Sequence, residues 1–72
     1  MNLRRTVARN LIRLRHEKGM SQEELADRAD INRNYVGMIE RCENAATVDM
    51  LEKLAQAFGN EPVEFFHESW SV

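Results

Sequence analysis

S-Q-E-E-L-A-D-R-A-D-I-N-R-N-Y-V-G-M-I-E-R, residues 21 to 41, reads as two short helices with a tight turn between them. Ser21 followed three residues later by Glu24 is a capping box, in which each side chain satisfies a free backbone N–H at the helix start. Leu25, Ala26 and Ala29 then fall on one face. Asn32 is a good N-cap for the second segment, which carries Val36 and Ile39 inward and leaves Arg33, Asn34 and Tyr35 outward. Residues 30 to 32 are too few for anything but a sharp corner. Such a corner usually needs one residue at positive φ, where glycine is least strained. Asp30 stands there, and Asp enters that region more readily than most non-glycine residues. Ile31 then plugs the core from the turn.

Upstream, Leu3, Val7, Leu11 and Leu14 recur at the helical period. The spacing predicts a helix over 3–18, stopped by a left-handed Gly19, with Lys18 suiting the negative end of the helix dipole. Met20 packs inward as the chain turns into Ser21. Downstream, Thr47 is an N-cap for a helix over 48–58. Its stripe is Val48, Leu51, Leu54, Ala55 and Phe58, and Gly59-Asn60 ends it. Pro62 fits the first position of a short fifth helix over 62–67, carrying Val63, Phe65 and Phe66. With the corner helices at 21–29 and 32–41, the expectation is a single all-α domain of five helices spanning residues 1–72. No internal repeat, low-complexity segment or strand pattern is present.

The chain has 72 residues. A chain of that length buries roughly 60% of the surface its unfolded form exposes, so its core is thin. Its single cysteine excludes an internal disulfide, and no Cys/His cluster reads as a zinc site. No catalytic constellation of nucleophile and base, carboxylate pair or phosphate loop appears, so an enzyme is not expected, and neither is a cofactor. Nothing resembles a signal peptide or a membrane span, which implies a soluble cytoplasmic protein. The formal charge is −2, but it is unevenly distributed. Residues 1–20 hold Arg4, Arg5, Arg9, Arg13, Arg15 and Lys18 against Glu17, or 6 − 1 = +5. The remainder holds four basic and eleven acidic residues, or −7. A basic end on an acidic body can steer one face to phosphate, or can simply be a solvated helix face.

Two helices at a sharp corner are the layout of a helix-turn-helix DNA reader. On that layout Arg33 has the planar fork that fits guanine O6 and N7. Its bland reading is a surface arginine paired with an acid such as Asp30. Asn34 can serve adenine bidentately or merely occupy a first helical turn. Tyr35 can donate to phosphate or pack its ring on the first helix. Met38, on the same face, can touch a thymine methyl or fill space. Gln22 at a helix start can meet phosphate or only solvent. Phe65, Phe66 and Trp70 can close the monomer core or form an interface. His16, His67 and Cys42 show no catalytic or metal spacing.

The ordered series K-G-M-S-Q-E-E-L-A, I-N-R-N-Y-V-G-M-I-E-R, T-V-D-M-L-E-K-L-A-Q-A-F-G and P-V-E-F-F resembles the XRE family of helix-turn-helix regulators, the fold of phage lambda-type repressor and Cro. It covers about residues 8–67. The resemblance implies a sequence-specific transcriptional regulator that binds double-stranded DNA as a homodimer. It implies that Arg33, Asn34 and Met38 face base edges. Gln22, Tyr35, Asn44 and Thr47 are implied near the DNA backbone, with Gln22 also bracing the recognition helix. Arg15 and Glu40 match a partly buried ion pair. Val63, Phe65, Phe66 and Trp70 match the dimerising fifth helix. Two positions depart from the pattern: Asp30 and Cys42 both stand where the family most often has glycine. The R-N-Y-V segment looks like the type seen in restriction–modification controller proteins. The alternative is an antitoxin-like or other protein-interaction module, working through the acidic body and terminal aromatics. No small-molecule effector is evident, and control through concentration and dimerisation is expected.

Overall fold

The computed structural model describes residues 2–68. Four α-helices, α1 Leu3–Glu17, α2 Gln22–Ala29, α3 Arg33–Glu40 and α4 Val48–Phe58, are followed by a 3-10 turn over Pro62–Phe66. No strand occurs among the described residues. The all-helical expectation is met, but the expected fifth helix is this five-residue 3-10 turn. Pro62 starts it as expected, but at that length and pitch it is a tight connector and not a further α-helix.

The helix starts follow side-chain chemistry. Asn2, Ser21, Asn32 and Thr47 each accept a hydrogen bond from a first-turn backbone N–H. The capping box at Ser21 is half formed. Ser21 Oγ accepts from the Glu24 amide at 3.0 Å, while the Glu24 carboxylate accepts from Arg28 one turn on, at 2.8 Å.

The helix ends share one device. Gly19, Asp30, Cys42 and Gly59 all sit at φ between 58° and 72°. Each donates its amide three residues back, to His16, Asp27, Ile39 and Gln56 respectively. Each following amide reaches five residues back, to Arg15, Ala26, Met38 and Ala55. That is the Schellman closure, which occupies otherwise unpaired carbonyls. Two of the four left-handed positions carry a side chain, and an L-residue there is strained by about 1–2 kcal/mol. Glycine removes that strain but is more disordered when unfolded, by roughly 0.5–1 kcal/mol. Cys42→Gly is therefore expected to stabilise the domain by about 0.5–1 kcal/mol, and Asp30→Gly by less, because Asp tolerates the conformation better. Urea midpoints measure both. A lower midpoint for Cys42→Gly would show that its weak Sγ contact with the Arg4 carbonyl, at 3.9 Å, outweighs the strain.

The core takes Val7, Leu11 and Leu14 from α1, Leu25, Ala26 and Ala29 from α2, Val36 and Ile39 from α3, Leu51, Leu54, Ala55 and Phe58 from α4, and Phe65 from the 3-10 turn. Met20 joins it between helices, and Ile31 packs against it from the corner. Helix α2 packs on α3 and α4, while α1 packs on α3 and the 3-10 turn. Leu3 and Val48, both expected on inner stripes, are 52% and 81% exposed. Each is the first residue of its helix, where the stripe overhangs the edge of the core. Asn10 is fully buried, and its Nδ2 donates to the carbonyls of Phe65 and His67, both at 2.8 Å. This one amide fastens the end of the described chain to α1. Since an unpaired buried polar group is costly, Asn10 is as structural as the apolar residues around it.

Candidate nucleic-acid interface

The corner between α2 and α3 opens into a groove of about 830 Å³. Gln22, Arg33, Asn34 and Met38 all line it. Helical spacing places them: Arg33 and Asn34 stand in the first turn of α3, Met38 lies one turn on, and Gln22 begins α2. The Asn34 backbone N–H donates to the Asn32 Oδ1 cap at 2.8 Å, and Asn34 itself lines the groove. Met38 is half-buried beside it.

Beneath the groove lies the Arg15–Glu40 pair. Arg15 Nε donates to Glu40 Oε2 at 2.8 Å and Nη2 to Oε1 at 3.1 Å. Arg15 Nη1 also donates to the Met20 carbonyl at 3.0 Å, and Gln22 Nε2 donates to Glu40 Oε1 at 2.9 Å. The Arg15 and Glu40 side chains are 14% and 6% exposed. Three helices thus meet at one carboxylate: α1 through Arg15, α2 through Gln22 and α3 through Glu40 itself. The expected pair is present, and Gln22 is its third member.

Three other candidate residues lie outside this groove. Tyr35 is 39% exposed on α3. The Thr47 hydroxyl caps α4, accepting from the Met50 amide at 3.0 Å. Asn44 lines a separate apolar depression of about 230 Å³, together with Leu3, Val48 and Phe66. The aromatic cluster divides. Phe65 is 1% exposed and tilts against Phe58, with ring centroids 6.3 Å apart, so it belongs to the monomer core. Val63 and Phe66 are 61% and 40% exposed. Trp70 lies outside the described residues.

Charge in the groove is more balanced than the basic first helix suggests. Arg13 reaches Glu17 and Asn10, and Arg15 is committed to Glu40. Arg33 bonds to Glu23 through Nη1 at 3.1 Å, not to Asp30. Arg41 and Glu43, which the sequence reading passed over, also line the groove. Arg41 Nε and Nη2 reach both oxygens of Glu43 at 3.0 Å. Hydrogen bonding to Arg41 holds the Glu43 carboxyl below its ordinary range, and the same bond with the adjacent negative charge raises the Arg41 guanidinium. A signal for Arg41 was present: Arg33, Gly37 and Arg41 recur at i, i+4 and i+8, which is one helix face. Gly37 leaves room on that face. A Cβ there would stand 2.9 Å from Arg41 Nη1 and 3.5 Å from Gln22 Oε1.

Comparison with known proteins agrees with this geometry. The Helix-turn-helix family model (HTH_3) matches residues 11–65. An HTH-type transcriptional regulator, y4dJ of Sinorhizobium fredii, is 42% identical over 64 residues, covering 89% of this chain and 83% of that one. The crystal structure of the restriction-modification controller protein C.AhdI from Aeromonas hydrophila superposes with a TM-score of 0.84 at 38% identity, over 88% of this chain and 96% of that one. The controller C.Esp1396I bound to a 25 base pair operator site superposes with a TM-score of 0.81 at 33% identity, over 92% and 87% of the two chains. With the corner, its ion pair and its outward arginine all in place, the chain belongs to the helix-turn-helix family of DNA-binding transcriptional regulators.

Proposed function

We propose that this regulator acts as a homodimer on a pseudo-palindromic operator, in the manner of a restriction–modification controller. The observation that carries the reading is the convergence of Gln22, Arg33, Asn34 and Met38 on one groove at the α2–α3 corner. Helix α3 enters the major groove, with Arg33 on a guanine edge and Asn34 and Met38 on neighbouring bases. The start of α2, through Gln22, and the Tyr35 hydroxyl hold phosphates. Asn44 and Thr47 hold the backbone from the loop before α4. The likeness to C.AhdI and to operator-bound C.Esp1396I supports the controller assignment. The exposed Phe66, bordering one apolar depression with Leu3 and Val48, and the exposed Val63 support self-association through apolar surface. The two copies then read half-sites about 34 Å apart, one turn of DNA.

Selection of bound duplexes from a random pool, with molar mass measured alongside, tests the reading. A symmetric enriched sequence and a dimeric mass are expected. Random output from a folded protein would favour the protein-interaction alternative instead. Arg33→Ala is expected to relax preference at one position in each half-site, at a cost of about 1–3 kcal/mol on the selected sequence. Gln22→Ala is expected to weaken all sequences alike. Because Gln22 also braces Glu40, its loss should lower the urea midpoint too, whereas Arg33→Ala should not. An unchanged sequence preference in folded Arg33→Ala would remove its base-reading role.

A further inference from the structure

Three arginines border the reading groove, and each is already held by a carboxylate: Arg15 by Glu40, Arg33 by Glu23 and Arg41 by Glu43. The first pair is buried and structural. The other two are exposed, with side chains 55–66% accessible, and both stand where DNA must approach. We propose that Arg41 is a further DNA-contacting residue, and that Glu23 and Glu43 act as internal competitors that hold Arg33 and Arg41 until DNA displaces them. The inference rests on the DNA-binding reading above.

The geometry favours displacement over a fixed structural role. The Glu43 carboxylate offers Arg41 two acceptors, each at 3.0 Å from a different nitrogen. A phosphate, or the O6/N7 edge of guanine, offers the same fork two acceptors in the same way. Exchange of one for the other needs no change in the protein beyond side-chain rotation. Gly37 gives the guanidinium its place, since a Cβ there would crowd Arg41 Nη1. Sequence-independent binding is set largely by how many phosphates the protein neutralises. An arginine that must first leave a carboxylate adds less to that sum than a solvated one. The groove therefore carries its reading arginines at near-zero local charge, and the protein is kept from settling strongly on bulk DNA.

A mutant cycle tests this against simple repulsion by negative charge. Binding of the full chain is measured on random duplex and on the selected operator, across a range of salt. Glu43→Gln is expected to tighten random-duplex binding about tenfold, and to steepen the salt dependence by about 0.9 log units per log unit, one added phosphate contact. Glu52→Gln, which removes the same charge from the exposed face of α4, is expected to change binding by no more than about twofold. In an Arg41→Ala background the gain from Glu43→Gln is expected to vanish, because the acid acts through that arginine. Arg41→Ala alone is expected to weaken operator binding about tenfold. Glu23→Gln is expected to behave likewise through Arg33. An equal gain from Glu43→Gln with and without Arg41 would mean repulsion only, and would overturn the inference. So would unchanged operator binding by Arg41→Ala. If the wild-type chain enriches no sequence at all, the DNA-binding reading falls and takes this inference with it. If it does enrich one, any failure of the cycle removes this inference and leaves the DNA-binding reading standing.

Discussion

Glu40→Gln is expected to lower the stability of the domain by about 3–5 kcal/mol, towards the lower figure because Arg15 keeps 14% of its side chain open to water. The mutation leaves the Arg15 guanidinium among the helices with no counter-charge, and it turns one of the two oxygens that accept from Arg15 and Gln22 into an NH2 donor. A 72-residue chain has roughly 4–11 kcal/mol of stability in all, so the loss is a large share. Arg15→Met is expected to cost less. Glu40 would keep its Gln22 donor, and a carboxyl can take up a proton where a guanidinium cannot lose one. Replacing both, as Arg15→Met with Glu40→Leu, is expected to recover most of the loss, since a buried ion pair often matches a packed apolar pair of similar volume. Urea titrations of Arg15→Met, Glu40→Leu and the double variant measure the coupling directly. Additive losses would mean that the pair contributes nothing as a pair. The double variant carries a further consequence. It restores stability without restoring the polar link from Glu40 to Gln22. A stable double variant with weakened binding to all DNA would assign that link to orienting α2 for phosphate.

What was legible in the sequence, and what was not, follows from how local each feature is. Helix α4 and the starts of α2 and α3 were readable because caps act over three residues. Asp30 was readable as a left-handed position because the tight corner leaves few alternatives, whereas Cys42 was marked only by the glycine that the resembling family has there; both take φ near 59°. The Arg15–Glu40 pair came from the family pattern, since nothing local links residues 25 apart. Leu3 and Val48 misled because periodicity names a face but not where the core stops. Asn10 gave no sign of its role: the carbonyls that it fastens to α1 are 55 and 57 residues away. The charge of α1 misled in a different way. Formal charge counts Arg13 and Arg15 as cations for DNA, whereas folding commits them to Glu17, Asn10 and Glu40. Glu23 was hidden for the same reason. Glu23 lies ten residues before Arg33, and only the folded corner brings them together.

Phe65 and Phe66 are chemically the same and adjacent, yet opposite outcomes are expected for their truncation. Phe65 is 1% exposed against Phe58, and its carbonyl receives the Asn10 amide. Phe65→Ala is expected to cost about 3–5 kcal/mol. Most of that cost should persist at every protein concentration, because it comes from packing within one copy. Phe66 is 40% exposed and borders the apolar depression that Leu3 and Val48 share. Phe66→Ala is expected to cost the isolated chain less. Its main effect should be on assembly: the molar mass falls towards the monomer, and the unfolding midpoint loses the concentration dependence that association confers. Urea titrations at two concentrations a hundredfold apart, with light-scattering mass, separate the two. A dimer unchanged by Phe66→Ala would remove that residue from the interface. A Phe65→Ala variant with the wild-type midpoint would mean that the 3-10 turn does not hold its place on α1. The two are linked in one direction only. The Asn10 amide and the Phe65 ring together dock the turn, and the docked turn then presents Val63 and Phe66. Phe65→Ala should therefore weaken assembly as well as folding, while Phe66→Ala should leave the core nearly as stable as before.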